Sequence, residues 1–209
     1  MKAQRIGVLG GTFDPVHSGH LSIAGLAMTE AALDRVLFIP AGNPRLKQQS
    51  PSADVQHRVE MVKLAVADNP KFEVCETEVS RPGPTYTVDT LEELSSKFGP
   101  STGLFFILGM DALLRLGEWK DPDRILELCR LVVVTRPGYS RMDWPQFYAN
   151  HPRAEHRVEI VASSAVDISG TELRKRIASD SSLRGLLPEP VQEYIRAHGL
   201  YRGEAESDE

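Results

Sequence analysis

The sequence predicts an α/β protein with a doubly wound parallel sheet. Short apolar runs alternate with longer amphipathic stretches along the chain, a pattern typical of strands joined by helices. The apolar runs read as strands buried on both faces, as in parallel sheets. No internal repeat, long linker or break in composition interrupts the alternation. We therefore expect one domain over residues 1–203.

The first half of the chain supplies three strands, each followed by a helix. Pro40 stops the second strand, Thr87 is a suitable N-cap for the third helix, and Gly99 suits the position after that helix. Residues 10–18, rich in glycine, proline and aspartate, are expected to form a loop. The strands are expected at 5–9, 36–39 and 72–75, and the helices at about 19–33, 55–67 and 87–98.

The second half continues the alternation less regularly. Asp121 followed by Pro122 has the pattern of an N-cap and a first helical residue, and Ser169 with Glu172 has the pattern of a capping box. Segment 141–156 has no clear period, and the acidic residues 204–209 are expected to be disordered. The strands are expected at 104–108, 131–135 and 158–161, and the helices at about 122–129, 169–177 and 190–197.

Composition limits the classes of function. The chain has 209 residues and a net charge of −5, from 29 acidic and 24 basic residues. An acidic chain is a poor general binder of nucleic acid or of anionic membranes. No apolar run approaches the roughly 20 residues of a membrane span, and the N-terminus does not resemble a signal peptide. Cys75 and Cys129 have neither zinc-like nor CxxC spacing, so two reduced, buried thiols and a cytoplasmic location are expected.

The first loop has the features of a phosphate site. Residues 10–20 read G-G-T-F-D-P-V-H-S-G-H and lead from the first strand into a helix. In a doubly wound sheet this turn is where phosphates bind, because backbone N–H groups and the positive end of the helix dipole face the ligand. His17 and His20 flank the helix start and could act as donors or cations beside the phosphates.

Other interpretations of this loop are open. Its spacing matches neither G-x-G-x-x-G nor G-x-x-x-x-G-K-[ST], so an NAD-dependent reductase or a P-loop protein is not indicated. It could be a glycine-rich turn with two exposed histidines. Paired histidines also suit zinc, but carboxylate and cysteine partners at useful spacing are missing.

A second phosphate motif lies late in the chain. Residues 168–174 read I-S-G-T-E-L-R. A cap at Ser169 would leave the first-turn N–H groups of the helix facing outward, and both the Thr171 hydroxyl and the Arg174 fork could reach a phosphate there. Alone, the motif could equally be a simple cap followed by a solvated arginine; together with the histidine loop it favours a phosphate site.

These two motifs resemble the H-x-G-H and I-S-x-T-x-x-R signatures of the nucleotidyltransferase superfamily, and the first resembles that of the bacterial nicotinate-nucleotide adenylyltransferases. The resemblance implies a single Rossmann-like nucleotidyltransferase domain. It implies catalytic roles for His17, His20 and Arg174. It also implies ATP or phosphate contacts for a larger set, namely Gly10, Gly11, Thr12, Phe13, Ser169 and Thr171.

Weaker resemblances continue from residue 6 to residue 201. Residues 39–47 resemble I-P-x-x-x-P-P-H-K, with departures at Arg45 and Leu46. Lys47 is kept, and it would either contact a phosphate or be an ordinary solvent-exposed lysine. Residues 83–91 resemble G-P-S-Y-T-x-D-T-L, which implies that Tyr86 and Thr87 border the nicotinate pocket.

Two more segments complete the resemblance. Gly109 and Asp111 match G-A-D, with Met110 in place of alanine, which implies a contact between Asp111 and the adenosine. Trp119 would stack on the nicotinate ring, with Lys120 beside it. Without the family, Trp119 would read as a tryptophan packed under a loop.

The implied reaction joins nicotinate mononucleotide to the AMP part of ATP and releases pyrophosphate, with Mg²⁺ held mainly by the phosphates and no metal held by the protein itself. There are three alternatives. The chain could be a sibling that uses nicotinamide mononucleotide or phosphopantetheine, or a cytidylyltransferase; it could be a non-catalytic nucleotide-binding module; the third, an NAD-dependent reductase, needs the G-x-G-x-x-G spacing that is missing after the first strand. ATP and nicotinate mononucleotide are the expected partners, and the chain could be a monomer or a homo-oligomer.

Overall fold

The sheet has the predicted doubly wound order. A computed structural model describes residues 3–43, 52–135, 142–163 and 168–202. Six parallel strands lie in the order β3-β2-β1-β4-β5-β6, so the chain builds outward from β1 and then crosses back to start again beside it. The strands are Gln4–Gly11 (β1), Arg35–Pro40 (β2), Phe72–Val74 (β3), Thr102–Gly109 (β4), Cys129–Thr135 (β5) and Val158–Ala162 (β6).

Helices cover both faces of this sheet. Within the described ranges they are Ser18–Glu30 (α1), Val55–Val66 (α2), Thr87–Phe98 (α3), Met110–Leu114 (α4), Pro122–Leu128 (α5), Trp144–Asn150 (α6), Gly170–Ala178 (α7) and Glu189–His198 (α8). Short 3₁₀ turns follow α4 and α6, at Leu116–Glu118 and Pro152–Ala154. The predicted tail, 204–209, lies outside the described residues.

The two faces of the sheet bury separate apolar clusters. Phe105 and Ile107 of β4 face a cluster that includes apolar side chains of α1, α2, α7 and α8. Leu104, Phe106 and Leu108 of the same strand face a cluster built with α3, α4, α5 and α6. Because successive residues of β4 are apolar and point to opposite sides, both faces must be covered by helices.

Several expected element boundaries are wrong. Gly10 and Gly11 belong to β1 rather than to the loop, because they pair with Ile39 and Pro40 of β2. The residue before α3 is Tyr86, with extended φ and ψ of −127° and 139°, so Thr87 is the first helical residue and not the N-cap.

The capping box expected at α7 is also absent. Ser169 occupies the N-cap position, but its side chain makes no capping hydrogen bond. Glu172 pairs instead with Arg176 one turn later, at 3.0 Å. Segment 141–156, which has no clear period in the sequence, contains α6. The short helix α4 has no counterpart among the predicted elements. The Asp121 cap is confirmed, since its carboxylate accepts from the Arg124 N–H at 3.1 Å.

Both cysteines are free thiols, as expected. Cys129 is buried, and burial raises the pKa of its thiol to about 12. Cys75 is only half-buried, so the expectation of two buried thiols is wrong for this residue, which directly follows the edge strand β3. Over the part of the chain that the structure describes, no helix has the length and apolar character needed to cross a membrane.

The end of the chain is fastened to the loop that follows β1. The Tyr201 side chain is buried at 6 % exposure, and its hydroxyl donates to Asp14 Oδ1 at 2.8 Å. Burial, with the nearby Asp14 charge, raises the pKa of Tyr201, so this hydroxyl stays protonated and keeps donating. Gly199 supplies the left-handed residue, at φ 62°, that ends α8 and turns the chain toward this contact.

We expect Tyr201→Phe to lower the free energy of unfolding by about 1.5–3 kcal/mol, because it removes a buried hydrogen bond to a charged group. Urea unfolding of both proteins measures the loss. Tyr194→Phe is the matched control, since that half-buried hydroxyl lies 2.9 Å from Nδ1 of His57 instead of beside a buried carboxylate. Equal losses in the two variants would contradict a special role for the Asp14 contact.

Candidate active site at the switch point of the sheet

The candidate site lies where the strand order reverses, between β1 and β4. β1 pairs with β2 on one side and with β4 on the other, and the helices that follow β1 and β4 cover opposite faces. This leaves a crevice at the carboxyl ends of β1 and β4, the position at which open α/β sheets bind ligands. Gly11 ends β1 there, and Gly109 ends β4.

The loop after β1 is tightly folded. Phe13 has a left-handed φ of 50°, and its ring is buried at 2 % exposure. A Cβ on Gly11 would lie 3.0 Å from two carbons of that ring, so a larger residue would push the ring away. Thr12 is also buried, at 8 % exposure. The packing of the Phe13 ring against Gly11 therefore leaves no room for a larger side chain at position 11.

The two histidines form one unit at the start of α1. Their rings are stacked, with centroids 3.6 Å apart and planes at 26°. The His17 backbone N–H donates to His20 Nδ1 at 3.2 Å. Since Nδ1 accepts, a neutral His20 ring carries its proton on Nε2, which can donate to a ligand. The Phe13 ring supports His20 edge-on, at 4.9 Å between centroids.

The second motif contacts the first. Arg174 of α7 donates from Nη1 to the Asp14 backbone carbonyl at 2.9 Å, and the same nitrogen is 3.8 Å from Asp14 Oδ2. Its Nη2 lies 3.5 Å from the Thr171 hydroxyl. Ser169 precedes the first turn of α7, whose N–H groups have no intrahelical acceptors. The two predicted phosphate motifs, 160 residues apart in sequence, therefore form a single site.

A second pocket opens between α3 and the segment after α4. Seven residues line it, namely Thr85, Tyr86, Thr87, Glu118, Trp119, Lys120 and Ile125. Every residue predicted to border a nicotinate ring is among them.

Two side chains of this pocket are held in place by neighbours. The Trp119 ring packs edge-on against Phe106, with centroids 5.7 Å apart. Lys120 Nζ contacts both carboxylate oxygens of Asp89, at 2.8 and 3.0 Å, and lies 4.7 Å from the centre of the Tyr86 ring. These contacts give the pocket a flat aromatic surface beside a cation.

A half-buried carboxylate, that of Glu78, supports this pocket and was not predicted from the sequence. Glu78 Oε1 accepts from the Thr90 hydroxyl at 2.8 Å. Burial raises the pKa of Glu78, against hydrogen bonds from Thr90 and Thr85 and the charge of Arg81. Thr90 lies on the first turn of α3, and Thr85 is a pocket residue, so Glu78 ties the pocket wall to the helix. A glutamate in a stretch without periodicity carries no signal that could have identified it.

The predicted site residues thus fall into three groups, with Lys47 as the exception. Those of the histidine loop and of the start of α7 meet at the end of β1. Gly109 and Asp111 follow the neighbouring strand, with Asp111 exposed on the first turn of α4. The nicotinate residues line the second pocket. Lys47 lies outside the described residues.

Known proteins are similar in sequence to this chain over nearly all of its length. A cytidylyltransferase-like family model matches residues 8–176. A Roseiflexus protein, named a probable nicotinate-nucleotide adenylyltransferase, is 46% identical over 202 residues, covering 97% of this chain and all of that protein. A Moorella thermoacetica protein of the same name is 43% identical over 199 residues, covering 95% of this chain and 92% of that protein.

Solved structures share the fold at much lower identity. The nicotinic acid mononucleotide adenylyltransferase of Plasmodium falciparum, in complex with NaAD, aligns with a TM-score of 0.75 at 17% identity, covering 97% of this chain and all of that one. The sheet order, the two converging motifs and the full-length relatives agree. The chain belongs to the nicotinate-nucleotide adenylyltransferase family of cytidylyltransferase-like proteins.

Proposed function

We propose that this protein transfers the AMP part of ATP to nicotinate mononucleotide, which yields deamido-NAD and pyrophosphate in NAD biosynthesis. The observation that carries the proposal is the contact between Arg174 and the Asp14 carbonyl at 2.9 Å. It joins the two phosphate motifs at the switch point of the sheet, beside a separate aromatic pocket for the acceptor.

The donor side suits the triphosphate of ATP. Nε2 of His20 and the N–H groups of the first turn of α7 are donors for phosphate oxygens, and Arg174 adds a fixed positive charge. His17, stacked on His20, orients that ring. Gly10, Gly11, Thr12 and Phe13 contribute backbone, Ser169 and Thr171 contribute hydroxyls, and Gly109 and Asp111 lie where the adenosine would extend toward β4.

The acceptor side suits a nicotinate ring with its carboxylate. The ring would stack on Trp119, and the carboxylate would accept from the free N–H groups at the start of α3, where Thr87 is the first helical residue. Tyr86 and Lys120 close the pocket. Because the Lys120 charge is paired with Asp89, the N–H groups at the start of α3 carry the expected preference for the acid over its neutral amide.

The chemistry needs positioning and charge stabilisation more than proton transfer. The acceptor's phosphate oxygen, already ionised at neutral pH, attacks the α-phosphorus of ATP, and the bond to the bridging oxygen of pyrophosphate breaks. The electron pair and the charge leave with pyrophosphate. His20 and Arg174 would stabilise that charge as it develops, so no general base is required.

We further propose that Mg²⁺ enters with ATP. The described residues contain no group of three or more His, Cys, Asp or Glu side chains placed to hold a metal ion. Mg²⁺ commonly binds through phosphates and water with few protein ligands, so this donor set fits an ion carried by the nucleotide. When bound, the ion neutralises part of the phosphate charge.

Two further assignments accompany this function. The free thiols of Cys75 and Cys129 support action in the reducing cytoplasm, and the net charge of −5 argues against nucleic acid as a partner. We assign the nucleotidyltransferase domain to residues 1–203.

A substrate panel tests the proposed activity. We expect pyrophosphate release from ATP with nicotinate mononucleotide, and much slower release with nicotinamide mononucleotide, phosphopantetheine or CTP. Faster turnover of any of these alternatives would reassign the enzyme to a sibling class, and ATP binding without pyrophosphate would identify a non-catalytic module.

We expect His20→Ala and Arg174→Ala each to lower kcat/KM by about 10²–10³-fold, the loss typical when one donor to a developing charge is removed. Pyrophosphate release measures this, and thermal unfolding reports whether the fold is kept. His198→Ala on α8 and Arg176→Ala on α7 are matched controls away from the proposed contacts. Near-normal rates in the first two variants would refute the assignment.

We expect Trp119→Ala to raise KM for nicotinate mononucleotide about tenfold, the effect of losing one stacked base, while KM for ATP changes little. Steady-state kinetics with each substrate varied separately measures both constants. Trp144→Ala on α6 is the matched control. If both KM values rise equally, the acceptor does not stack on Trp119.

A further inference from the structure

Arg58 of α2 is a buried cation whose donors are directed to backbone carbonyls of three segments. Its side chain is 1 % exposed. Nη1 donates to the Thr12 carbonyl at 2.7 Å, Nε to the Ala53 carbonyl at 3.2 Å, and Nη2 to the Gly42 carbonyl at 3.4 Å. One planar group therefore joins the loop after β1, the segment after β2 and the residue pair that leads into α2.

Asp14 completes the junction from the opposite side. Its carboxylate accepts from the Ser52 and Ala53 N–H groups at 2.7 and 3.1 Å. Its backbone carbonyl accepts from Arg174. The segment before α2 is thus fastened to the phosphate loop in both directions, by a donor from Arg58 and by acceptors from Asp14.

The same junction reaches the acceptor pocket. The Asn43 carbonyl, next to the Arg58 acceptor Gly42, accepts from the Thr85 N–H at 3.1 Å and from its hydroxyl at 3.2 Å. Gly42 approaches the neighbouring segment so closely that a Cβ there would lie 2.3 Å from the Glu78 carbonyl oxygen. Arg58 is therefore connected through Thr12 to the phosphate side and through Gly42 and Asn43 to the acceptor side.

The cost of burying this group indicates that its geometry matters. Burial lowers the pKa of Arg58, while the Asp14 charge opposes that effect. A buried guanidinium is seldom the most stable way to fill a core, because desolvation offsets its attractions. A planar fork with fixed donor directions does, however, set the spacing of three carbonyls, which a flexible lysine cannot do.

We propose that Arg58 is a positioning residue that fixes the distance between the phosphate loop and the acceptor pocket. The inference rests on the proposed adenylyl transfer. In-line attack requires the acceptor oxygen about 3–3.5 Å from the α-phosphorus, and a misplacement of about 1 Å can cost about 100-fold in rate. A change at Arg58 should therefore spare each substrate's own binding and impair the step that needs both together.

Arg58→Lys tests this, because it keeps the charge beside Asp14 but loses the fork. We expect kcat to fall at least about tenfold, while the Kd of a non-reactive ATP analogue and the Kd of nicotinate mononucleotide, each measured alone by calorimetry, change less than about threefold. Val62→Ala is the control: it truncates a fully buried side chain one turn further along α2 and should lower Tm while leaving kcat near normal.

The outcomes separate the two proposals. A wild-type protein that makes no deamido-NAD refutes the proposed function. An active wild type with a normal kcat in Arg58→Lys refutes the positioning role, as does a loss of kcat matched by Val62→Ala at the same loss of Tm. A variant with weakened binding of one substrate alone shows a local contact and also overturns the proposal.

Gly42→Ala is the second variant, for use if Arg58→Lys does not fold. The added Cβ would lie 2.3 Å from the Glu78 carbonyl oxygen, so it displaces Gly42, and with it the carbonyl that accepts from Arg58, while Arg58 itself is unchanged. We expect the same pattern, a reduced kcat with nearly unchanged separate Kd values. If neither variant folds, the junction serves the fold rather than the rate of transfer, and the proposal is wrong.

Discussion

The site depends on one buried aspartate. The side chain of Asp14 is buried, and its carboxylate accepts from the backbone of Ser52 and Ala53 and from the hydroxyl of Tyr201. Its carbonyl accepts from Arg174. A carboxylate in this position would be costly if its oxygens lacked donors, so each of these contacts both stabilises the charge and fixes a distant segment beside the loop. Early, middle and late parts of the chain meet at this residue for that reason.

The site also depends on the position of the helix starts. The first turns of α7 and α3 carry N–H groups that lack intrahelical acceptors, and both lie beside the carboxyl ends of the strands. The first turns of α1 and α7 face the end of β1, and the first turn of α3 forms part of the acceptor pocket. N–H groups at helix starts are preformed donors for anions and need no reorganisation when a ligand binds. The fold therefore places two separate sets of donors, one at the end of β1 and one in the second pocket, which suits the proposed triphosphate and nicotinate carboxylate. The loops set the distance between these two sets.

Much of this could be predicted from the sequence, because local patterns determine it. Buried apolar strands and helix punctuation predicted the sheet, and the two motifs taken together predicted that the loop after β1 and the start of α7 serve one site, where Arg174 contacts Asp14. Arg58 and Glu78 could not be found in this way: each acts through contacts with segments distant in sequence, and nothing in its neighbours marks it. The prediction of a capping box at Ser169 was wrong for a related reason. Glu172 pairs with Arg176, one turn later, instead of with the N-cap residue. Such choices between partners are decided by tertiary geometry.

The net charge of −5 is compatible with a strongly anionic substrate because charges act locally. At physiological salt, exposed charges more than about 8 Å apart are largely screened, so surface carboxylates elsewhere do little to a phosphate at the switch point. Many of the exposed basic side chains are also paired with acidic ones, such as Lys63 with Glu76 and Arg124 with Glu92. At the proposed phosphate site the nearby charge is that of Arg174, and the first turn of α7 adds N–H donors. The sign of the whole chain therefore governs non-specific association, and the site governs affinity for the nucleotide.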